Sequence, residues 1–303
     1  MARRLILWSV AAIAAGAVVV CGIGGAVLCE GALHPPRRAV PANSSALNVQ
    51  VVARDGIVLR AWLFDSGTPD RDAVLILHGI ADSRASEVGL ARMFLNHGYT
   101  ALVPDSRANG ESGGDLATYG LLESDDVHLW VSWLIEHEHP RRIFGLGESL
   151  GGAVLIQSLR VEPRFSAIVA ESAFSSFERI AQDRIAQRLP FSPRAGRMLA
   201  APPVWAGFLY ARLRYGLDFY RASPQAVLAQ SSTPVLLIQD LDDRLTPLAH
   251  SEILAATNRR YTTLWLVPGA GHTGAFGTAP REFEKRVLGF YQNLPPGIQV
   301  REK

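Results

Sequence analysis

The stretch RRIFGLGESLGGAVLIQSLR, residues 141–160, holds the pattern on which the fold turns. Residues 142–146 are a short apolar run of strand character, and residues 150–160 continue as a helix. Between them Gly147-Glu148-Ser149-Leu150-Gly151 fits G-x-S-x-G. A sharp strand-to-helix turn puts its serine in a strained backbone conformation and leaves no room for neighbouring side chains, which explains the flanking glycines. Gly151 and Gly152 let the helix approach the sheet. Ser149 is the candidate nucleophile.

Outward from this turn the same alternation repeats. Residues 49–53 and 57–64 are β-rich runs on either side of Arg54-Asp55-Gly56, a turn signature, and predict an antiparallel hairpin. Continuous apolar runs at residues 73–77 and 100–103 enclose a helical stretch at 86–96, which is a βαβ unit. A helix at 125–138, strands at 167–170, 235–238 and 263–267, and helices at 247–256 and 281–291 complete the series. Continuous apolar strands alternating with helices predict an α/β fold, with a mostly parallel central sheet covered on both faces. Residues 189–220 break the rhythm with prolines and aromatics, among them Phe191, Trp205, Phe208 and Tyr220, and read as a small helical lid insertion.

A serine hydroxyl is a poor nucleophile at neutral pH, so it needs a base, and the base needs an orienting carboxylate. The run at 235–238 leads into Asp240, Asp242 and Asp243, and the run at 263–267 leads into Pro268-Gly269-Ala270-Gly271-His272. Three acids therefore compete for one role. His272 has rivals in His78, His97, His128, His137, His139 and His250. His78 reads as a loop brace, and His137 and His139 as solvated helix-end residues.

These segments together resemble the α/β-hydrolase family, over residues 47–294. His78-Gly79 is similar to the family's oxyanion loop, and Asp105-Ser106-Arg107-Ala108-Asn109-Gly110-Glu111-Ser112 to its D-x-R-G-x-G-x-S loop. Glu171-Ser172-Ala173-Phe174 is similar to a segment of its single-domain, membrane-anchored, esterase-like members. Ala108, Asn109 and Asp240 depart from the family pattern. The resemblance implies a Ser149, Asp243, His272 triad, because the pattern G-x-x-D-x-x-V-P aligns its proline with Pro247; Asp242 is the runner-up. It further implies an oxyanion hole from the backbone N–H groups of Ile80 and Leu150, a structural Arg107, and no cofactor or metal. The implied reaction is hydrolysis of a carboxylic ester or thioester through an acyl-enzyme, on a small-molecule substrate whose acyl part is apolar if the aromatic insertion is its lid. A serine peptidase, an acyltransferase and a catalytically silent membrane-anchored binding protein are the alternatives.

Composition narrows the partners. The 303 residues are 48% hydrophobic and 19% charged, and 30 basic against 28 acidic residues, spread without blocks, leave a net charge of +2. That balance excludes a nucleic-acid footprint. Cys21 and Cys29, the two cysteines, both lie in the N-terminal apolar run, which excludes a catalytic thiol and a cysteine zinc site in the folded domain. Residues 5–28 carry no charge, and roughly 20 apolar residues cross a bilayer, whereas signal-peptide cores are about 7–15 long. The expectation is a single-pass, uncleaved anchor over residues 5–29, after a tail at 1–4 and before a Pro-rich linker at 30–46, with a C-terminal tail at 295–303. Ala15 and Ala17 have cleavage-site spacing but fall inside the run. Arg3 and Arg4 nearly balance Arg37 and Arg38 across the span, and the short N-terminus favours a catalytic domain on the outer or periplasmic side.

Overall fold

The computed structural model describes residues 2–67 and 71–294; the expected C-terminal tail at 295–303 lies outside the described residues. The chain opens with a long helix, α1 (Ala2–Leu33), followed by strands β1 (Leu47–Val52), β2 (Val58–Phe64) and β3 (Ala73–Leu77). Then come α2 (Val88–Asn96), β4 (Thr100–Pro104), α3 (Glu123–Glu138), β5 (Ile143–Glu148), α4 (Leu150–Ser158) and β6 (Phe165–Glu171). Two helices interrupt the alternation, α5 (Phe177–Ala186) and α6 (Pro193–Tyr215), ahead of a 3-10 turn at Phe219–Arg221 and α7 (Pro224–Leu228). The remainder is β7 (Val235–Asp240), α8 (Ala249–Thr257), β8 (Thr262–Val267), α9 (Ala275–Thr278) and α10 (Pro280–Gln292).

The strands form one eight-stranded sheet in the order β1-β2-β4-β3-β5-β6-β7-β8. β1 pairs antiparallel with β2, as the Asp55-Gly56 turn predicts, and β2 antiparallel with β4; the other pairings are parallel. Alternate residues of β3 divide between two cores, because successive side chains on a strand point to opposite faces. Ala73, Leu75 and Leu77 pack with α3, α4, α5 and α6, whereas Val74 and Ile76 pack with α2 and α10. The mostly parallel sheet with helices on both faces is the architecture the alternating runs predict. Residues 189–220, read as a helical insertion, are largely α6, which keeps its helix through Pro202 and Pro203.

The helix α1 continues through Leu33, into what composition reads as linker. Residues Ala15–Leu33 have a mean hydropathy of 1.9 and are long and apolar enough to cross a membrane. Only the end of α1 docks. Cys29 and Leu33 are buried in the core, while Val18, Val19, Val20 and Ile23 are exposed. Tyr210 and Tyr215 of α6 donate their hydroxyls to Glu30 Oε1 at 2.6 and 2.7 Å, so the one acid in this stretch finds its partners 180 residues away. Beyond the helix, Arg37 donates to the carbonyls of Ser112 and Gly114 at 2.5 and 2.6 Å, tying the Pro-rich segment to the loop after β4.

The contact between α1 and α6 depends on glycine. A Cβ on Gly25 would collide with the carbonyl of Pro203, and one on Gly207 would sit 2.7 Å from Gly25 O. Small residues let two backbones approach in this way. Gly207→Val is expected to lower the melting temperature of the full chain, by about 1–3 kcal/mol of overpacking, measured in detergent by differential scanning fluorimetry, while Gly56→Ala in the exposed hairpin turn serves as a control for backbone strain alone.

Candidate active site

The parallel strands β3 to β8 deliver their C-terminal ends to one rim of the sheet. β5 ends beside β3, with Leu77 opposite Gly147, and beside β6, with Glu148 opposite Glu171. Ser149 follows with φ 52° and ψ −113°, a conformation that L-residues rarely adopt. The neighbours permit nothing else. A Cβ on Gly147 would strike the backbone of Gly151, and one on Gly151 would strike the carbonyl of Leu77. The Ser149 N–H is tied to Glu171 O at 2.8 Å, which anchors the turn to β6.

The loops after β7 and β8 close on this serine. His272 Nε2 lies 2.9 Å from Ser149 Oγ, and His272 Nδ1 lies 2.7 Å from Asp243 Oδ2. Asp243 is buried, and its second oxygen accepts from the N–H groups of Leu245 and Thr246 at 2.7 and 2.9 Å. Burial pushes its carboxyl up, but the hydrogen bond and charge of His272, with the Thr246 N–H, outweigh that and hold the pKa below the ordinary aspartate value. Of the three competing acids, Asp243 is the one on His272. The Asp242 side chain is exposed, with its N–H on Ala270 O at 3.0 Å.

Asp240 has a different place. Its Oδ2 accepts from Ser172 Oγ at 3.1 Å and from the Gly274 N–H at 3.2 Å, just past His272. Glu171, fully buried at the end of β6, accepts the Ala275 N–H at 2.9 Å. Each carboxyl keeps one oxygen with no donor, Glu171 Oε2 and Asp240 Oδ1. Burial, reinforced by the charges of Glu148 and Asp240, pushes Glu171 well above the usual carboxylate range. That favours a protonated Glu171 beside the Asp240 carboxyl, and the N–H groups of Gly274 and Ala275 tie the two carboxyls to the loop after His272. Burial also raises Glu148, beside the serine, and pushes Glu87 up to about 7. Of these supporting acids only Asp240 stands out in the sequence, as a rival orienting acid; its place beside Glu171 exists only once β6 and β7 are neighbours.

The other histidines are engaged elsewhere. His78 is fully buried, with Nδ1 2.6 Å from Gly79 O and Nε2 accepting the Ser106 N–H at 3.0 Å; burial lowers its pKa and keeps it neutral. His250 accepts the Ser175 N–H at 3.0 Å and faces Asp183 at 3.2 Å. His97 pairs with Glu284, and His128 with Glu162. His137 lies against Trp133 O at 2.9 Å, and His139 terminates α3 in a left-handed conformation. Arg107 is a brace: it grips Asp126 through two hydrogen bonds of 2.7 Å and Asp55 at 2.9 Å, far from any free cation. Asn109, where the family pattern differs, accepts the Ala81 N–H at 3.0 Å and so fixes the loop after β3.

That loop and the start of α4 flank the serine. Among the described residues, the N–H groups of Ile80 and Leu150 have no protein acceptor. Both residues line the cavity that Ser149 and His272 open into, with a volume of about 550 Å³. Its walls are mostly apolar, formed by Phe174 from the sheet rim, Phe177 from α5, Phe208 from α6, Phe219 from the 3-10 turn, and Val27 and Leu28 from α1, with Arg184 and Arg188 also in the lining. That α1 reaches this site is not visible in its largely apolar sequence.

A family model described as the alpha/beta hydrolase family matches residues 74–286. The uncharacterized protein YqkD of Bacillus subtilis is 28% identical over 228 residues, covering 74% of this chain and 72% of that one. The uncharacterized protein YfhR of Escherichia coli K12 is 26% identical over 238 residues, covering 77% and 75%. Among solved structures, the Pyrococcus furiosus esterase Pf2001 superposes with a TM-score of 0.70 at 25% identity, over 86% of this chain and 99% of that one.

The Glu171–Asp240 pair makes a pH prediction with a definite sign. The folded pKa of Glu171 lies above its unfolded value of about 4.3, so its contribution to stability is complete below that value and is lost as pH rises through the raised folded pKa. Melting temperatures followed from acid to alkaline pH are expected to fall for the wild type once Glu171 ionises. Glu171→Gln, which keeps a donor toward Asp240, is expected to flatten that alkaline fall, whereas Glu171→Ala lowers stability at every pH.

Proposed function

The chain belongs to the alpha/beta hydrolase family, and on that premise we propose that it is a serine hydrolase of carboxylic esters in which Ser149, His272 and Asp243 do the chemistry. The observation that carries this reading is the hydrogen-bonded relay from Ser149 Oγ through His272 to Asp243, at 2.9 and 2.7 Å. His272 Nε2 takes the Ser149 proton as Oγ attacks the acyl carbonyl, and the ionised Asp243 stabilises the imidazolium through Nδ1–H. The N–H groups of Ile80 and Leu150 receive the oxyanion, where one such donor typically contributes about 3 kcal/mol. The imidazolium then returns its proton to the departing alcohol, leaving an acyl-serine. Water enters, gives its proton to His272, attacks the acyl carbon and releases the acid, restoring Ser149.

The apolar cavity supports an apolar acyl group over a charged one. The similarity to the Pyrococcus furiosus esterase at 25% identity supports ester over peptide hydrolysis. For the N-terminus the reading is an uncleaved anchor, supported by the length and hydropathy of Ala15–Leu33 and by the docking of its end onto the folded chain.

A fluorophosphonate probe is expected to label the wild-type chain and not Ser149→Ala; a folded wild type that takes no label ends the serine-hydrolase reading. On p-nitrophenyl esters, Asp243→Asn is expected to reduce kcat by about 10⁴-fold, and an Asp242→Asn variant to stay near wild type. Protease treatment of intact cells is expected to digest the folded part while leaving an N-terminal membrane-protected fragment; digestion only after lysis would place the domain inside.

A further inference from the structure

We infer that the substrate is an acyl ester resident in a lipid bilayer, and that its chain reaches Ser149 sideways out of the membrane, through the cavity walled by α1 and α6. This inference rests on the esterase reading and names its substrate. Its starting point is that one helix does two things. The stretch Ala15–Leu33 is long and apolar enough to cross a membrane, and Gly25, Val27, Leu28, Gly31 and Ala32 from its second half line the same cavity as Ser149 and His272. Val27 is more than half exposed and Leu28 is also exposed, so the wall that α1 supplies is open along the helix.

The pairing of the two helices gives the direction. Gly25 meets Pro203 and Gly207, Cys29 approaches Gly207, Glu30 binds Tyr210 and Tyr215, and the His34 ring lies 6.4 Å from that of Tyr215. Advancing along α1 thus advances along α6, and the helices run parallel. The first half of α6 accordingly lies beside the exposed apolar part of α1 that precedes Gly25. On that half Met198 and Leu199 point outward, 72% and 54% exposed, and Trp205 follows at 59%. An apolar patch of this kind on a folded surface marks an interaction site. Continuity with a helix suited to hydrocarbon assigns its partner as the bilayer.

The turn between α5 and α6 carries the pattern of an interfacial anchor. Phe191 is exposed there between Arg188 and Arg194, and neither arginine is in an ion pair among the described residues. Aromatic and basic side chains together favour the headgroup level of a membrane. With α6 lying on the surface in this way, the gap between α1 and α6 opens to the lipid rather than to water. An acyl chain then slides along Val27 and Leu28, past the phenylalanines, and presents its ester carbonyl to Ser149, with Arg184 and Arg188 the charged side chains in the lining.

The test uses the full chain in phosphatidylcholine vesicles that carry a fluorogenic long-chain acyl ester dissolved in the bilayer, with a water-soluble short-chain ester assayed on the same vesicles. The rate on the bilayer ester is expected to follow its mole fraction in the membrane and to stay constant when the vesicles are diluted. The double variant Met198→Glu, Leu199→Glu is expected to lose about tenfold or more on the bilayer ester while staying within about twofold on the soluble one; Met198→Ser, Leu199→Ser, a milder change at the same exposed positions, is expected to fall between. Equal losses on both esters, no loss on the bilayer ester, or a wild type that cleaves only the soluble ester overturns lateral access and leaves the esterase reading standing. A patch covered by a second copy of the chain, seen as a dimer in light scattering that the double variant dissociates with bilayer turnover unchanged, also overturns it. A wild type that cleaves neither ester and takes no fluorophosphonate fails earlier, at the esterase reading itself.

Discussion

The structure depends on how closely the ends of β3, β5 and β6 and the start of α4 are allowed to approach. Gly151 has no Cβ where Leu77 O passes, Gly147 has none where the backbone of Gly151 passes, and the Ser149 N–H is held by Glu171 O. A residue in the conformation of Ser149 costs of order 1–3 kcal/mol, and it persists because strands buried on both faces fix both ends of the turn. The same packing throws Oγ forward, clear of the sheet, toward the loops that follow β3, β7 and β8. A looser turn would leave the hydroxyl among backbone groups. Strain at one residue is thus what places a side chain in register with His272.

Much of this was legible in the sequence because the signals are local. Glycines at 147, 151 and 152 between an apolar run and a helix specify a turn without reference to the rest of the chain. Asp243 and His272 were legible by order, each in a loop after a late apolar run. In the sequence Asp240 stands as one of three rival acids and a departure from the family pattern, and Glu171 only as part of a segment similar to other hydrolases. Their carboxyls tie β6 and β7 to the loop after His272, three places far apart in the sequence, so no window contains the pattern. His250 is the mirror case. Its type and position made it a rival base, and only the packing of α8 against Ser175 and Asp183 takes it out of contention.

The helix α1 was legible as an apolar span and illegible as a wall of the cavity. Periodicity cannot report its docking, since a helix apolar on every side shows no face to choose. What decides the docked part is the placement of Gly25 and Glu30. Gly25 admits the carbonyl of Pro203, and Pro203 is itself a position where α6 lacks an N–H and whose interior prolines leave earlier carbonyls free. Glu30 would be a poor residue in hydrocarbon, and the hydroxyls of Tyr210 and Tyr215 satisfy it at the point where the helix meets the folded chain. Both features read as interruptions of an anchor until α6 is laid beside them.

Anchor and cavity therefore share a boundary. Val18, Val19, Val20 and Ile23 before Gly25 are exposed, and residues after it are half wall and half core. If α1 served only as a tether, any apolar helix joined by a loose linker would do, and its sequence near the junction would be free. The Arg37 bonds to the loop after β4, the Ala117 N–H on Leu33 O at 2.8 Å and the Tyr119 hydroxyl on Ala32 O at 3.0 Å remove that freedom. Tyr119 stacks in turn on Phe177 with ring centroids 3.8 Å apart, inside the cavity lining. The position of α1 and the shape of the cavity beside Ser149 are set by the same hydrogen bonds, and neither can change without the other.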